Sequence, residues 1–238
     1  MEDKTAGKIK DLLHDGDLTP LTRLVLTNAI YFKGDWAAKF KAKDTVTAPF
    51  YLRSGLSTAA RLMHQTGRFA YAAADGVQIL ELPYAGGEVS MVVLLPDGGL
   101  DEFEAGLSAG RLAGWLGSLE QRQVSVYLPS FKITARYGLK PLLSAMGMPD
   151  AFSMAADFSG LNGAKNLYIT DVIHQAFVAV DEEGSEAAAA TAVVIGLKSM
   201  PPSERVVFRA DRPFVFLLRH KPTGTTLFMG RVANPTEA

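Results

Sequence analysis

Cysteine is absent from the 238 residues, and its absence excludes disulfide bonds, a thiol nucleophile and thiolate metal sites. No apolar run is long enough to span a bilayer, so we expect no membrane-spanning segment. The opening residues Met1–Lys4 lead directly into polar sequence, so we expect no signal peptide at this start. The net charge of −1 lacks the positive excess that attracts nucleic acid or anionic membrane surfaces. We therefore expect neither nucleic acid nor membrane as a partner.

Motifs of known catalytic chemistry are also absent. The sequence has no Gly-x-Ser-x-Gly elbow, no His-Glu-x-x-His metal helix, and neither of the common glycine-rich nucleotide-binding patterns. The histidines lie far apart, without the spacing of metal ligands: His14, His64, His174 and His220. We predict that the chain is not an enzyme and has no cofactor and no metal site. His174, in the middle of an apolar strand pattern, is interpreted as a hydrogen-bonded core residue.

What is present is an ordinary globular composition, with 48% apolar and 21% charged residues. Strand patterns dominate the chain, and the runs Val77–Leu82 and Val89–Leu95 flank a turn that predicts a β-hairpin. The period then changes to that of two short amphipathic helices. Their apolar positions are Leu100, Phe103 and Leu107 in the first, and Leu112, Trp115, Leu116 and Leu119 in the second. The predicted fold class is α+β and β-rich, with strands in antiparallel groups.

Two long strand patterns stand apart from these groups. Leu21–Phe32 has a continuously apolar centre at Leu24–Leu26, as expected of a strand covered on both faces. Asn28 lies inside this run, and we interpret it as hydrogen-bonded structure. The second pattern is Leu167–Val180. Before both, Lys4–Leu13 is compatible with a helix.

The stretch 180–203 has the least ordinary composition in the chain. It opens with the acids Asp181–Glu183, turns at Gly184, and carries no charge from Ala187 to Leu197. A short helix is favoured by its alanines, but the glycine and the β-branched residues Val193–Ile195 oppose one. A passive linker is the second interpretation, although linkers are usually polar or rich in Gly, Ser or Pro. The interpretation we prefer is an exposed segment, small and apolar enough to enter a sheet as an added strand.

Seven segments spread along the chain resemble the serpin family of serine protease inhibitors. They are LTRLVLTNAIYFKGDW (21–36), ELPYAGG (81–87), MVVLLPD (91–97), ADFSGL (156–161), HQAFVAVDEEGSEAAAAT (174–191), FRADRPFVFLL (208–218) and LFMGRVANP (227–235). The resemblance implies one serpin-like domain over 1–238. This domain matches the carboxy-terminal part of the family, so that the family's amino-terminal third is absent. It also implies an exposed reactive-centre loop at about 182–203, which is cut by a protease and then inserts into the central sheet.

The resemblance implies the site residues of this loop. The scissile bond would be Lys198–Ser199, with Leu197–Lys198 as the runner-up, which would favour a chymotrypsin-like protease. The hinge, which must bend and then pass between strands, comprises Glu183, Gly184, Ser185, Glu186, Ala187, Ala188, Ala189 and Ala190. Its small side chains fit insertion, and non-inhibitory members tend to depart from this pattern. A lysine before the cut implies a trypsin-like protease, whose specificity pocket is acidic.

Three further residues match family positions. Asn28 and His174 match the "shutter", where two central strands part to admit the loop, and Trp36 matches the "breach", where insertion begins. The shutter would also need a serine-bearing helix from the absent part of the family. Without that part, the strands 21–33 and 167–180 are expected to leave one face bare.

The implied partner is a trypsin-like serine protease, held in a covalent acyl-enzyme complex. Self-association is a further expectation, because a strand-like loop can enter a neighbour's sheet. The family implies an extracellular or periplasmic location, with a cytoplasmic one as the alternative. The alternative function is a non-inhibitory serpin-like protein, or an inactive fragment that the protease cleaves as an ordinary substrate.

Overall fold

A computed structural model describes residues 2–185 and 205–237 of the chain. The chain forms two compact units. The first unit combines Met1–Phe32 with Ile133–Val178, and the second combines Lys33–Lys132 with Ala179–Ala238.

Within the described residues, strands far outnumber helices. The strands are β1 (Leu24–Tyr31), β2 (Gly34–Asp35), β3 (Val46–Tyr51), β4 (Ser57–Ala74), β5 (Val77–Pro83), β6 (Val89–Pro96), β7 (Glu120–Pro129), β8 (Phe131–Gly138), β9 (Ile169–Val180), β10 (Gly184–Ser185), β11 (Val206–Arg209), β12 (Phe214–His220) and β13 (Thr225–Val232). The helices are α1 (Leu100–Ala105), α2 (Ala109–Gly117), α3 (Lys140–Ala145) and α4 (Ser159–Asn162), with 3₁₀ turns at Asp3–Thr5, Ala42–Asp44 and Asp150–Phe152.

The first unit is built on a three-stranded sheet in the order β1-β9-β8. β1 and β9 are parallel, and their register places Asn28 opposite His174. A small apolar core forms beside the sheet, where Phe152 and Leu143 pack with Val172. The prediction that β1 is covered on both faces is wrong, because the side of β1 that carries Leu26 is open and this leucine is 44% exposed.

The helix expected over Lys4–Leu13 does not form. A single 3₁₀ turn covers Asp3–Thr5, and Ala6 and Gly7 follow it with φ angles of 49° and 70°. Residues in this left-handed region end a right-handed helix, because their carbonyls no longer continue the hydrogen-bond ladder. The composition of the stretch suited a helix, but these two backbone conformations end it after one turn.

The second unit contains an eight-stranded sheet in the order β11-β7-β4-β5-β6-β12-β13, with β3 paired to β4. The 18-residue strand β4 connects three neighbours, because β3 pairs with its beginning, β7 with its middle and β5 with its end. The neighbours are antiparallel except β11, which runs parallel to β7. The predicted β5–β6 hairpin is present. Both predicted helices are present too, and Leu100 and Trp115 pack on Val92 and Leu217 of the sheet.

Candidate functional site

The predicted site residues divide into three groups. Lys198 and Ser199, together with Glu186 and Ala187–Ala190, lie outside the described residues. Glu183, Gly184, Ser185 and Trp36 lie in the second unit, and Asn28 and His174 lie in the first.

Two residues of the predicted hinge form part of a strand pair. Gly184 and Ser185 make up β10, which pairs antiparallel with Gly34–Asp35 of β2. Gly184 has a φ of +151°, and a Cβ at this position would lie 2.1 Å from the carbonyl oxygen of Gly34. Only glycine permits so close an approach of two backbones. The glycine predicted as a flexible turn thus also serves close strand contact.

The hydroxyl of Ser185 is fully buried and paired with that of Tyr84. The residue is 0% exposed, and its Oγ lies 2.8 Å from Tyr84 Oη, so that either hydroxyl can donate. Burial raises the pKa of the Tyr84 phenol, which keeps its proton at neutral pH. Because a buried hydroxyl without a partner is costly, this hydrogen bond holds the Ser185 side chain in place.

Trp36 supports this pair from the side. Its ring stacks on Tyr84 with centroids 4.5 Å apart and planes inclined by 12°. The indole Nε1 donates to the Asp181 carbonyl oxygen at 2.9 Å, and the Trp36 backbone N–H donates to the Glu183 carbonyl oxygen at 2.9 Å. We call Trp36, Tyr84, Gly184 and Ser185 the hinge cluster.

The acids that open the loop are each bound to the second unit or to one another. The side chain of Glu182 accepts hydrogen bonds from Thr45 and Arg61, both at 2.8 Å. Glu183 pairs with Lys39, and this hydrogen bond is the main cause that raises the pKa of the lysine. Such surface pairs contribute little stability individually, but together they attach Glu182 and Glu183 to the rest of the second unit.

Asp181 closes the turn between β9 and β10. Its Oδ1 accepts the backbone N–H groups of Glu183 at 3.0 Å and Gly184 at 3.3 Å, and its own N–H donates to the Gly184 carbonyl oxygen at 2.9 Å. An aspartate that binds backbone groups two and three residues ahead is a common turn device. Asp181, Glu182 and Glu183 therefore belong to a turn that hydrogen bonds of Asp181 hold in place.

In the first unit, Asn28 and His174 are joined directly. Asn28 Oδ1 lies 2.8 Å from His174 Nδ1, across two parallel strands in register. The Tyr137 ring stacks on the histidine ring, with centroids 6.4 Å apart and planes inclined by 17°. The expectation that Asn28 is hydrogen-bonded structure is met. His174 is hydrogen-bonded too, but it is half-buried rather than a core residue.

Sequence reasoning did not identify Tyr84, Lys39, Arg61 or Thr45 as site residues. The sequence offered one indication for Tyr84, because this residue belongs to the ELPYAGG segment that resembles the serpin family. The other three had none, because a lysine, an arginine or a threonine in a polar turn or an exposed strand resembles any solvated residue. Their partners are more than 100 positions away in the chain.

Two further properties concern only the residues described here. These residues contain no cluster of three or more histidine, aspartate or glutamate side chains arranged to hold a metal ion. None of their helices combines the length and the apolar character that crossing a membrane requires.

Comparison with known proteins gives consistent matches along the chain. The family model described as serpin (serine protease inhibitor) matches residues 1–235. A serpin-like protein of Thermococcus kodakarensis is 44% identical over 239 residues, covering 100% of this chain and 55% of that protein. The leukocyte elastase inhibitor of Bos taurus is 42% identical over 245 residues, covering 99% of this chain and 64% of that protein.

A solved structure agrees with these sequence matches. Uncleaved ovalbumin superposes with a TM-score of 0.86 at 37% identity, over 98% of this chain and 60% of that one. The chain thus spans less than two thirds of the length of the relatives it matches. The predicted β-rich α+β fold is confirmed by this match.

Proposed function

This chain belongs to the serpin family of serine protease inhibitors, and from this premise we propose that it inhibits a trypsin-like serine protease as a suicide substrate. Family membership agrees with the prediction that the chain is not an enzyme. The finer parts of the proposal concern the target, the cut at Lys198–Ser199 and the covalent complex. An extracellular or periplasmic location remains a prediction from the family.

The proposed reaction uses the protease's own chemistry. Its catalytic serine oxygen attacks the carbonyl carbon of Lys198, and the bond to the Ser199 nitrogen breaks as that nitrogen takes a proton from the protease histidine. The product is an ester between the protease and the new carboxyl end at Lys198. Water would normally hydrolyse this ester. Insertion of the cut loop moves the protease and distorts its oxyanion hole, so the ester persists.

The observation that carries the proposal is the state of the hinge. Gly184 and Ser185 are already paired with β2, with the serine hydroxyl buried. The next small residues, Ala187–Ala190, continue from that starting point in the sequence. Alanine side chains can enter a sheet without leaving a polar group or charge unpaired. The proposed loop therefore begins at a segment that already pairs as a strand with β2.

The second candidate is a serpin-like protein that proteases cleave without being trapped. One observation favours it: Leu26 is exposed on the open side of β1. A sheet with an open apolar side has less support for the rearrangement that trapping requires. In this case Lys198–Ser199 is an ordinary cleavage site.

The test mixes the purified chain with trypsin and separates the products on a denaturing gel. We expect a boiling-resistant band at the summed mass of chain and protease, and loss of trypsin activity. Lys198→Ala should yield neither this band nor cleavage at that bond, while Lys198→Arg should retain both. Ala187→Arg should be cleaved at the wild-type rate without the covalent band, because a charged side chain cannot enter the sheet.

Clean cleavage of the wild-type chain at Lys198–Ser199, with trypsin left active, would overturn the inhibitory proposal and support the second candidate. A covalent band with chymotrypsin and cleavage at Leu197–Lys198, with no such band with trypsin, would instead overturn the trypsin-like specificity.

A further inference from the structure

The Tyr84 hydroxyl faces the loop from a rigid position. Tyr84 directly follows β5 and is 2% exposed. Its backbone N–H donates to the Val89 carbonyl oxygen at 2.9 Å and its carbonyl accepts the Gly87 N–H at 3.0 Å, so both ends of the β5–β6 turn hold it. The ring is further fixed by its stack on Trp36. These contacts hold the Tyr84 hydroxyl in a fixed position.

Ser185 bonds to this hydroxyl from a short strand, because β10 contains only two residues. Two residues of strand pairing supply few backbone hydrogen bonds, so a buried side-chain hydrogen bond forms a large share of the local attachment. The Tyr84–Ser185 bond links positions 101 residues apart.

We propose that Tyr84 is a positioning residue that sets where the loop enters the sheet, by holding the Ser185 hydroxyl in register with β2. This inference rests on the proposed inhibitory function for its consequence, but the attachment itself is independent of any protease. When the Tyr84 hydroxyl is removed and the Ser185 hydroxyl stays buried without this partner, Gly184 and Ser185 detach from β2 more often, and insertion starts later. Hydrolysis of the ester then competes better with insertion.

The energetics of the buried Tyr84–Ser185 hydrogen bond predict different effects for the single and the double variant. Tyr84→Phe leaves the buried Ser185 hydroxyl without its phenol partner, whereas Tyr84→Phe combined with Ser185→Ala removes both polar groups. Loss of one partner of a buried pair costs more than loss of both. The double variant should therefore behave more like the wild type than Tyr84→Phe does.

The first experiment measures hydrogen exchange in the peptide that contains Gly184 and Ser185, on the purified chain without protease. We expect exchange about tenfold faster in Tyr84→Phe and near the wild-type rate in the double variant. Tyr71→Phe is the matched control, because the Tyr71 hydroxyl bonds the Gln78 side chain at 3.3 Å, away from the loop. Unchanged exchange in Tyr84→Phe, or equal acceleration in Tyr71→Phe, would overturn the proposal.

The second experiment measures the outcome of the reaction with trypsin. We expect Tyr84→Phe to be cut at the wild-type rate, while the ratio of covalent complex to free cleaved chain falls about fivefold. The double variant should recover most of this ratio. A merely structural role would lower thermal stability without changing this partition, so the melting temperature of every variant is measured alongside.

The two experiments separate the two proposals. If the wild-type chain forms no covalent complex, the inhibitory function fails, while the exchange experiment still decides the role of Tyr84. If the wild type forms the complex and Tyr84→Phe matches it in both exchange and partition, the positioning role is overturned and the inhibitory function stands.

Discussion

Because Gly184 has no Cβ, the start of the predicted hinge can pair with β2. At Gly184 any side chain would place its Cβ 2.1 Å from the Gly34 carbonyl oxygen and 2.7 Å from the Asp35 Cα, and both obstacles are backbone atoms that cannot rotate away. The φ of +151° adds a second reason, because residues with a Cβ rarely adopt it. The pairing of β10 with β2 therefore depends on this glycine.

We predict that Gly184→Ala separates β10 from β2. The free energy of unfolding should fall by about 1–3 kcal/mol, the usual cost of overpacking. Thermal unfolding measures the loss, and hydrogen exchange in the peptide containing Ser185 locates it.

Gly98→Ala is the matched control, because that glycine has open space around its Cβ position and no positive φ. A stable Gly184→Ala with protected hinge amides would contradict the prediction.

At the scale of elements, the parallel pair β1–β9 brings the two predicted shutter residues together. The register shifts once between Leu24 and Val25 and is regular from there to Tyr31, so one pairing in that range fixes the others. Asn28 opposite His174 follows from the same register that puts Ala29 opposite Gln175. Their hydrogen bond lies on the open side of the sheet, where Asn28 and Tyr137 are exposed. Water competes for such a bond, so its contribution to stability is small.

We predict a coupling free energy of about 0.5–1 kcal/mol between Asn28→Ala and His174→Ala in a double-mutant cycle of unfolding. The physical reason is the loss of one solvent-accessible side-chain hydrogen bond. Denaturant unfolding of the four variants measures the coupling.

Thr27→Ala, combined with His174→Ala, serves as the control cycle. Successive side chains of a strand point to opposite faces, so Thr27 should not couple to the histidine and the two changes should add. Additivity in the Asn28 cycle as well would show that the hydrogen bond carries no net stability.

At the scale of the whole molecule, the features on which the proposed insertion rests also predict self-association. The stretch 180–203 is uncharged from Ala187 to Leu197 and rich in small and β-branched residues. β1 ends the described order of its sheet, and an unpaired strand edge is a template for another strand. A loop from one molecule can therefore pair with the sheet of another.

We predict that mild heating below the unfolding transition converts the chain to soluble oligomers, because warming opens the sheet before the whole fold is lost. Size-exclusion chromatography of heated samples measures the conversion. Ala187→Arg should form markedly fewer oligomers, since its charge opposes entry into any sheet. A strictly monomeric profile for the wild type, or equal oligomers in both, would count against loop–sheet association.

Much of the fold follows from local patterns. Two strand-like runs on either side of a turn predicted the β5–β6 hairpin, and the change of period predicted α1 and α2. The helix expected over Lys4–Leu13 failed because backbone conformations at Ala6 and Gly7 are not set by composition.

Family motifs and strand patterns are properties of short stretches, so the sequence by itself determined the serpin resemblance, the small-residue hinge and most strands. The tertiary structure alone decided which distant residues meet: Ser185 with Tyr84, Glu182 with Arg61, and Trp36 with Asp181. These contacts span 101, 121 and 145 residues. The reason is that a side-chain hydrogen bond needs both atoms within about 3 Å, and only the packed sheets bring such distant positions that close.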